Sequence, residues 1–122
     1  MLNNKKVGLL NFHYSDHNYG AVLQAAALAD IAVAAPAFPV LHNADVAAYS
    51  DSAQIKDALV RQAYNPVRWV ETIQFMATLG VTTVAECGPG KVLAGLTKRC
   101  ADGISGVALA DAASIEANLG LE

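Results

Sequence analysis

The stretch Val81–Arg99, VTTVAECGPGKVLAGLTKR, constrains the fold more than any other part of the chain. Val81 to Glu86 is β-branched and mostly apolar, which predicts a short buried strand. Gly88-Pro89-Gly90 then breaks the chain, because glycine reaches backbone angles other residues avoid and proline fixes φ and opens helices. From Lys91 to Arg99 the spacing of Leu93, Leu96 and Thr97, followed by Cys100, predicts a helix with those residues on one face. Lys98 and Arg99 fall in its last turn, where positive charge suits the helix dipole. Strand, glycine turn and helix in succession are one half of a parallel layer, so the expected class is α/β: a small parallel sheet with flanking helices.

The rest of the chain extends the alternation. Lys5–Phe12 predicts a strand around Val7, Leu9 and Leu10, His13–Gly20 is turn-rich, and the Ala- and Leu-rich run Ala21–Asp30 predicts a helix. Pro36 and Pro39 end that region, and Pro39–Asn43 predicts a short buried strand that joins the same sheet. Asp51 caps a helix in which Ile55, Ala58, Leu59 and Gln62 share a face and Asp57 pairs with Arg61. Asn65-Pro66 restarts the chain as cap and first-turn proline. Trp69, Ile73 and Met76 form a buried helical stripe, Trp69 mostly buried, that stops at Gly80. Gly106–Leu109 predicts a last strand and Ala112–Leu119 a last helix. Strands alternating with helices point to a parallel sheet.

Composition sets the outer bounds. With 122 residues, 54% hydrophobic and 16% charged, the chain can bury one modest core and does not read as disordered. A formal net charge of −3 argues against a broad nucleic-acid-binding surface. Cys87 and Cys100 do not make a disulfide framework, and the expectation is reduced thiols in a cytoplasmic protein. VGLLNF is too short for a signal-peptide core, and no apolar run approaches the roughly 20 residues of a membrane span.

ECGPGKVLAGLTKR, together with the upstream DALVRQAYNPVRWVETIQ and PVLHNADV, resembles the C-terminal part of the malonyl-CoA:acyl-carrier-protein transacylase family, and the likeness runs from Leu28 to Glu122. KKVGLLNFHYSDHNYGAVLQAAAL, in the first 27 residues, resembles instead the opening of polysaccharide pyruvyl transferases. The expected organisation is residues 1–27 packed with an acyltransferase-like portion, 28–122, as one structural domain. The first resemblance implies part of an α/β-hydrolase-like acyltransferase domain, acyl transfer in fatty-acid biosynthesis, and malonyl-CoA and acyl carrier protein as partners. It implies no cofactor and no metal.

That family attacks its thioester with a serine in a G-H-S-x-G elbow, activated by a histidine. No such elbow occurs here: the serines are Ser15, Ser50, Ser52, Ser105 and Ser114, and G-I-S-G-V around Ser105 lacks the second glycine where the elbow needs it. The residue that binds the malonyl carboxylate in the family, an arginine, lies upstream of everything present. Phe12-His13 stands where the family carries its base, so His13 is either that base or a turn residue in register with it. Gln62 stands where a backbone carbonyl orients the base, or is simply a half-buried amide at a helix end. A base without a nucleophile implies a chain inactive by itself.

Other residues are weaker candidates. His13, Asp16 and His17 with His42 would make a metal set only if His13 and His17 lay on a helix. Gly88-Pro89-Gly90-Lys91 lacks the spacing of a phosphate loop and reads as a plain turn. Cys87 reads as a buried structural thiol. Arg61, Arg68, Lys98 and Arg99 form either a basic patch for an acidic carrier protein or a solvated face. Three functional readings follow: an acyltransferase-family fragment, a pyruvyl-transferase-like fragment, and a non-catalytic module that binds carrier protein.

Overall fold

The computed structural model describes residues 32–119 together with the backbone of residues 7–10. His13, His17 and the helix expected over Ala21–Asp30 lie outside the described residues. The chain forms two compact units, Met1–His13 with Ile73–Glu122, and Tyr14–Thr72.

The first unit is built on a parallel sheet of three strands in the order β1 (Val7–Leu10), β4 (Thr83–Cys87), β5 (Ser105–Leu109). Val7 pairs with Thr83 and Leu10 with Glu86, while Thr83 pairs with Ser105 and Cys87 with Leu109. β4 is central, and Thr83 through Glu86 are all buried, the continuous burial of a strand covered on both faces. The strand starts later than expected: Thr82 is exposed and only Thr83 enters the sheet.

After β4 the chain turns at Gly88, whose φ of 144° suits glycine, and enters helix α3 (Val92–Thr97). The helix is shorter than expected. Lys98 is its C-cap, and Lys98 and Arg99 lie in the turn beyond it rather than in the helix. Ala94 and Thr97 are buried and Leu96 is exposed, so the inner face is rotated from the expected one. The reason is how closely α3 approaches β5. A Cβ on Gly106 would overlap the backbone of Ala94, reaching its Cα at 2.6 Å, so Gly106 is what lets helix and strand touch. Ala94, a small residue, faces that contact. Helix α4 (Ala112–Leu119) follows β5 as expected, started by Asp111 and Ser114: Ser114 N–H donates to Asp111 Oδ1 at 2.8 Å, and Ser114 Oγ accepts from Asp111 N–H at 3.0 Å.

The second unit contains a hairpin and helix α1 (Ser52–Tyr64). β2 (Leu41–His42) pairs antiparallel with β3 (Ala47–Ala48) and forms its own two-stranded sheet, so the expectation that Pro39–Asn43 joins the parallel sheet is corrected. Pro39 lacks an N–H for a ladder, and Val40 is 40% exposed; only His42 of this segment is buried. Asp51 caps α1 as expected, accepting from Ala53 and Gln54 N–H. Ile55 and Ala58 are its buried positions.

Asn65 does not start a helix. It closes α1, with its N–H at 3.0 Å and its side-chain amide at 2.8 Å both donating to Arg61 O. Pro66 to Arg68 are irregular, and α2 (Trp69–Thr78) begins beyond them. Ile73 and Met76 are buried, whereas Trp69 is half-buried, less than expected. Gly80 ends α2 at φ 79°; its N–H bonds Ala77 O and Val81 N–H bonds Met76 O, the paired bonds of a Schellman motif.

Gly106→Ala is expected to cost about 1–3 kcal/mol or more, the range for overpacking, because backbone rather than a mobile side chain must yield. Gly95→Ala, in helix α3 with open space around its Cβ position, is expected to gain up to about 1 kcal/mol from helix propensity. Urea denaturation of both variants checks the pair.

Candidate functional site

Of the two residues singled out for catalysis, only Gln62 falls among the described residues. It is half-buried in the last turn of α1. In an α-helix its carbonyl would accept from the N–H of residue 66, but that residue is Pro66, which has none. The carbonyl therefore lacks its helical donor and is available as an acceptor. Pro66 four residues after Gln62 is a signal present in the sequence itself.

Around Gln62 the structure assembles a polar cluster that sequence reasoning did not foresee. Arg61 reaches the β2–β3 turn and grips Asp45 in a fork, Nη2 to Oδ2 at 2.6 Å and Nε to Oδ1 at 3.3 Å. The expected helical pair with Asp57 is thus replaced by a longer-range one. Tyr49 adds a third bond, its hydroxyl donating to Asp45 Oδ2 at 3.1 Å. The hydrogen bond from Arg61 holds the Asp45 carboxyl below the ordinary carboxylate range, with Tyr49 reinforcing it.

His42, 3% exposed, lies against Tyr49 with ring centroids 5.6 Å apart. Burial lowers its pKa below the ordinary 6.5; Asp45 and the Gln62 side chain oppose that shift, and Arg61 adds to it. The Gln62 amide is thus close enough to favour protonation of the ring, yet His42 Nε2 is enclosed with no hydrogen-bond partner of proper geometry. Asn43 Oδ1 and Trp69 Nε1 are enclosed in the same way. The turn carrying Asp45 is itself strained. Val46 sits at φ 54°, unusual for a β-branched residue, and its N–H closes the turn on His42 O at 2.8 Å.

In the other unit, the Gly-Pro-Gly turn presents no open anion site. The buried Glu86 carboxylate accepts from Ala94 N–H at 2.9 Å, occupying the start of α3 from within the fold. Lys91, at the cap position, offers no side-chain acceptor, so Glu86 substitutes for the missing cap. Cys87 beside it is exposed, not buried as expected, because it is the outermost residue of β4. Ser105 Oγ donates to Thr82 O at 3.3 Å. Of the four basic residues, Arg61 pairs with Asp45 and Arg68 with Glu71 at 2.6 Å. Among the described residues no three of His, Cys, Asp and Glu gather as metal ligands, and no helix is long and apolar enough to cross a membrane.

Comparison with known proteins points to one class, malonyl-transferring enzymes. No protein-family model matches the chain. Among curated proteins it is 50% identical over 92 residues to the malonyl CoA-acyl carrier protein transacylase of Salmonella typhimurium, covering 75% of this chain and 30% of the relative. The Haemophilus influenzae protein of the same name is 47% identical over 93 residues, 76% of this chain and 30% of the relative. Among solved structures, an acyl carrier protein S-malonyltransferase from Vibrio cholerae superposes with a TM-score of 0.75 at 48% identity, covering 83% of this chain and 33% of that one. A malonyl-transacylase solved with a type II polyketide acyl-carrier protein superposes at 0.76 with 43% identity, over 86% of this chain and 34% of that one. The chain therefore matches a fragment of a malonyl-CoA:acyl-carrier-protein transacylase and spans about a third of the length of the relatives it matches.

Two outcomes test this geometry. Glu86→Ala is expected to cost about 1–3 kcal/mol, the penalty for a buried N–H left without its acceptor, read by urea denaturation. His42 binds protons more weakly folded than unfolded, so its contribution is complete above pH 6.5 and is lost as pH falls below that value. Asp45, Glu71 and Asp111 lose theirs only lower, below ordinary values of 3.8 to 4.5. The urea midpoint is expected to fall between pH 7 and pH 5, and His42→Gln to flatten that fall.

Proposed function

We propose that this chain is the base-bearing portion of a malonyl-transfer fold, the part of an acyltransferase of the α/β-hydrolase-like kind that orients a histidine but supplies no nucleophile. The observation that carries the reading is the agreement of 50% sequence identity to a transacylase with superposition at a TM-score of 0.75 on a malonyltransferase. On this reading His13 is the general base and the Gln62 carbonyl its orienting acceptor. An acceptor on one ring nitrogen fixes the tautomer, so the other nitrogen presents its lone pair to a nucleophile. The substrates are malonyl-CoA and acyl carrier protein, the setting is fatty-acid synthesis in the cytoplasm, and the acyltransferase-like portion is 28–122. Residues 1–27, whose sequence resembles pyruvyl transferases, serve here by adding β1 beside β4.

Acyl transfer through an enzyme-bound ester needs a nucleophile, a base and donors for the oxyanion. No G-H-S-x-G elbow occurs in the 122 residues. Losing the nucleophile removes most of the rate in such constellations, so the chain alone is expected not to transfer malonyl groups. Incubation with labelled malonyl-CoA and acyl carrier protein, followed by intact-mass analysis of both proteins, tests this. Malonylated carrier protein accumulating above the protein-free control would contradict it. If Cys87→Ala then removed the signal, the exposed thiol would be the nucleophile.

A further inference from the structure

The last turn of α1 ends at a break, Asn65-Pro66-Val67, where a helix terminus would ordinarily fray. Both sides of this break are tied to one turn. Before it, Arg61 grips Asp45 in a fork. After it, Arg68 N–H donates to Asn43 O at 2.9 Å. Gln62 follows Arg61 directly. Its carbonyl, deprived of a donor by Pro66, lies inside the bracketed segment.

We propose that Asp45 and Arg61 are positioning residues that fix the direction of the Gln62 carbonyl by clamping the end of α1 to the β2–β3 hairpin. The inference rests on the reading of Gln62 as the acceptor that orients a catalytic histidine. A forked guanidinium–carboxylate pair fixes orientation as well as distance, which a lysine cannot do. Tyr49 occupies Asp45 further, leaving the carboxylate little freedom to rotate. The strained φ of Val46 fits the same picture. Strain in a turn persists where surrounding bonds over-determine it, and here Val46 N–H to His42 O, the Asp45 fork and the Arg68–Asn43 bond do so.

The test uses the full chain labelled with carbon-13 and nitrogen-15. Asp45→Asn and Arg61→Lys are expected to shift the Gln62 carbonyl-carbon resonance and to speed amide exchange at Asn65 by about tenfold, with the methyl signals of Ile73 and Val84 unmoved. Asp45→Asn should also lower the His42 titration midpoint, because it removes a charge that favours protonation, whereas Arg61→Lys should move it little. A purely structural pair would change thermal stability and leave the Gln62 carbonyl where it is. Wild-type values of the carbonyl shift and of Asn65 exchange in the folded variants would overturn the proposal. Should both variants fail to fold, salt raised to about 1 M on the unaltered chain screens the part-exposed pair and must move the same carbonyl resonance; a fixed resonance would overturn the proposal equally. Malonyl transfer that fails in any assay leaves these signals intact, so the clamp and the reading of Gln62 can fall separately.

Discussion

The first unit depends on a buried carboxylate meeting a helix start. Glu86 leaves the central strand and accepts the Ala94 N–H, so the charge lies where the dipole of α3 favours it. That bond fixes how the chain leaves β4, and the Gly-Pro-Gly turn is the short route that allows it. It also sets α3 down where Gly106 can admit it. Strand, turn, helix and next strand are locked by one acceptor and one missing side chain. The same arrangement answers the question of anion binding: the site that would attract a phosphate already holds the protein's own carboxylate.

The second unit is organised by charge and strain at one turn. Asp45 sits between Arg61 and Tyr49, and the turn backbone takes Arg68 N–H on Asn43 O. Partly exposed ion pairs contribute little to stability on their own. Their value here is geometric, since a fork with a third bond holds a direction that a single contact would not. Burial pushes the His42 pKa below its ordinary value, outweighing the opposing pull of the nearby Asp45 carboxylate.

How much of this was legible in the sequence depends on the range of each interaction. Asp51, Gly80 and the span of α4 were readable because caps and glycine ends are decided within a few residues. The position of β4 was readable from its β-branched run. The partner of Arg61 was not, because local spacing offered Asp57 while the fold brings Asp45 sixteen positions away. Asn65-Pro66 misled for a related reason: the pair signals a helix start, but Asn65 bonds backwards to Arg61 and ends one. Pro39–Asn43 read as a strand of the main sheet because its apolar run carries no record of which strand it will pair with. Cys87 read as a buried structural thiol because no base stands near it in the sequence, yet it is the last residue of β4 and is exposed. Of the candidate site, Gln62 was legible through the family resemblance alone, whereas the lack of a helical donor to its carbonyl, and the places of His42 and Asp45, became visible only once α1 and the hairpin were folded.

We propose that this chain carries the base side of a malonyl-transfer site and lacks the nucleophile. The most direct measurement replaces the matching third of the Salmonella typhimurium transacylase with this chain and follows malonyl transfer to acyl carrier protein. The folded hybrid is expected to transfer malonyl groups and to lose that activity when His13 is changed to Ala. A folded hybrid without transfer, or one whose transfer survives His13→Ala, would contradict it.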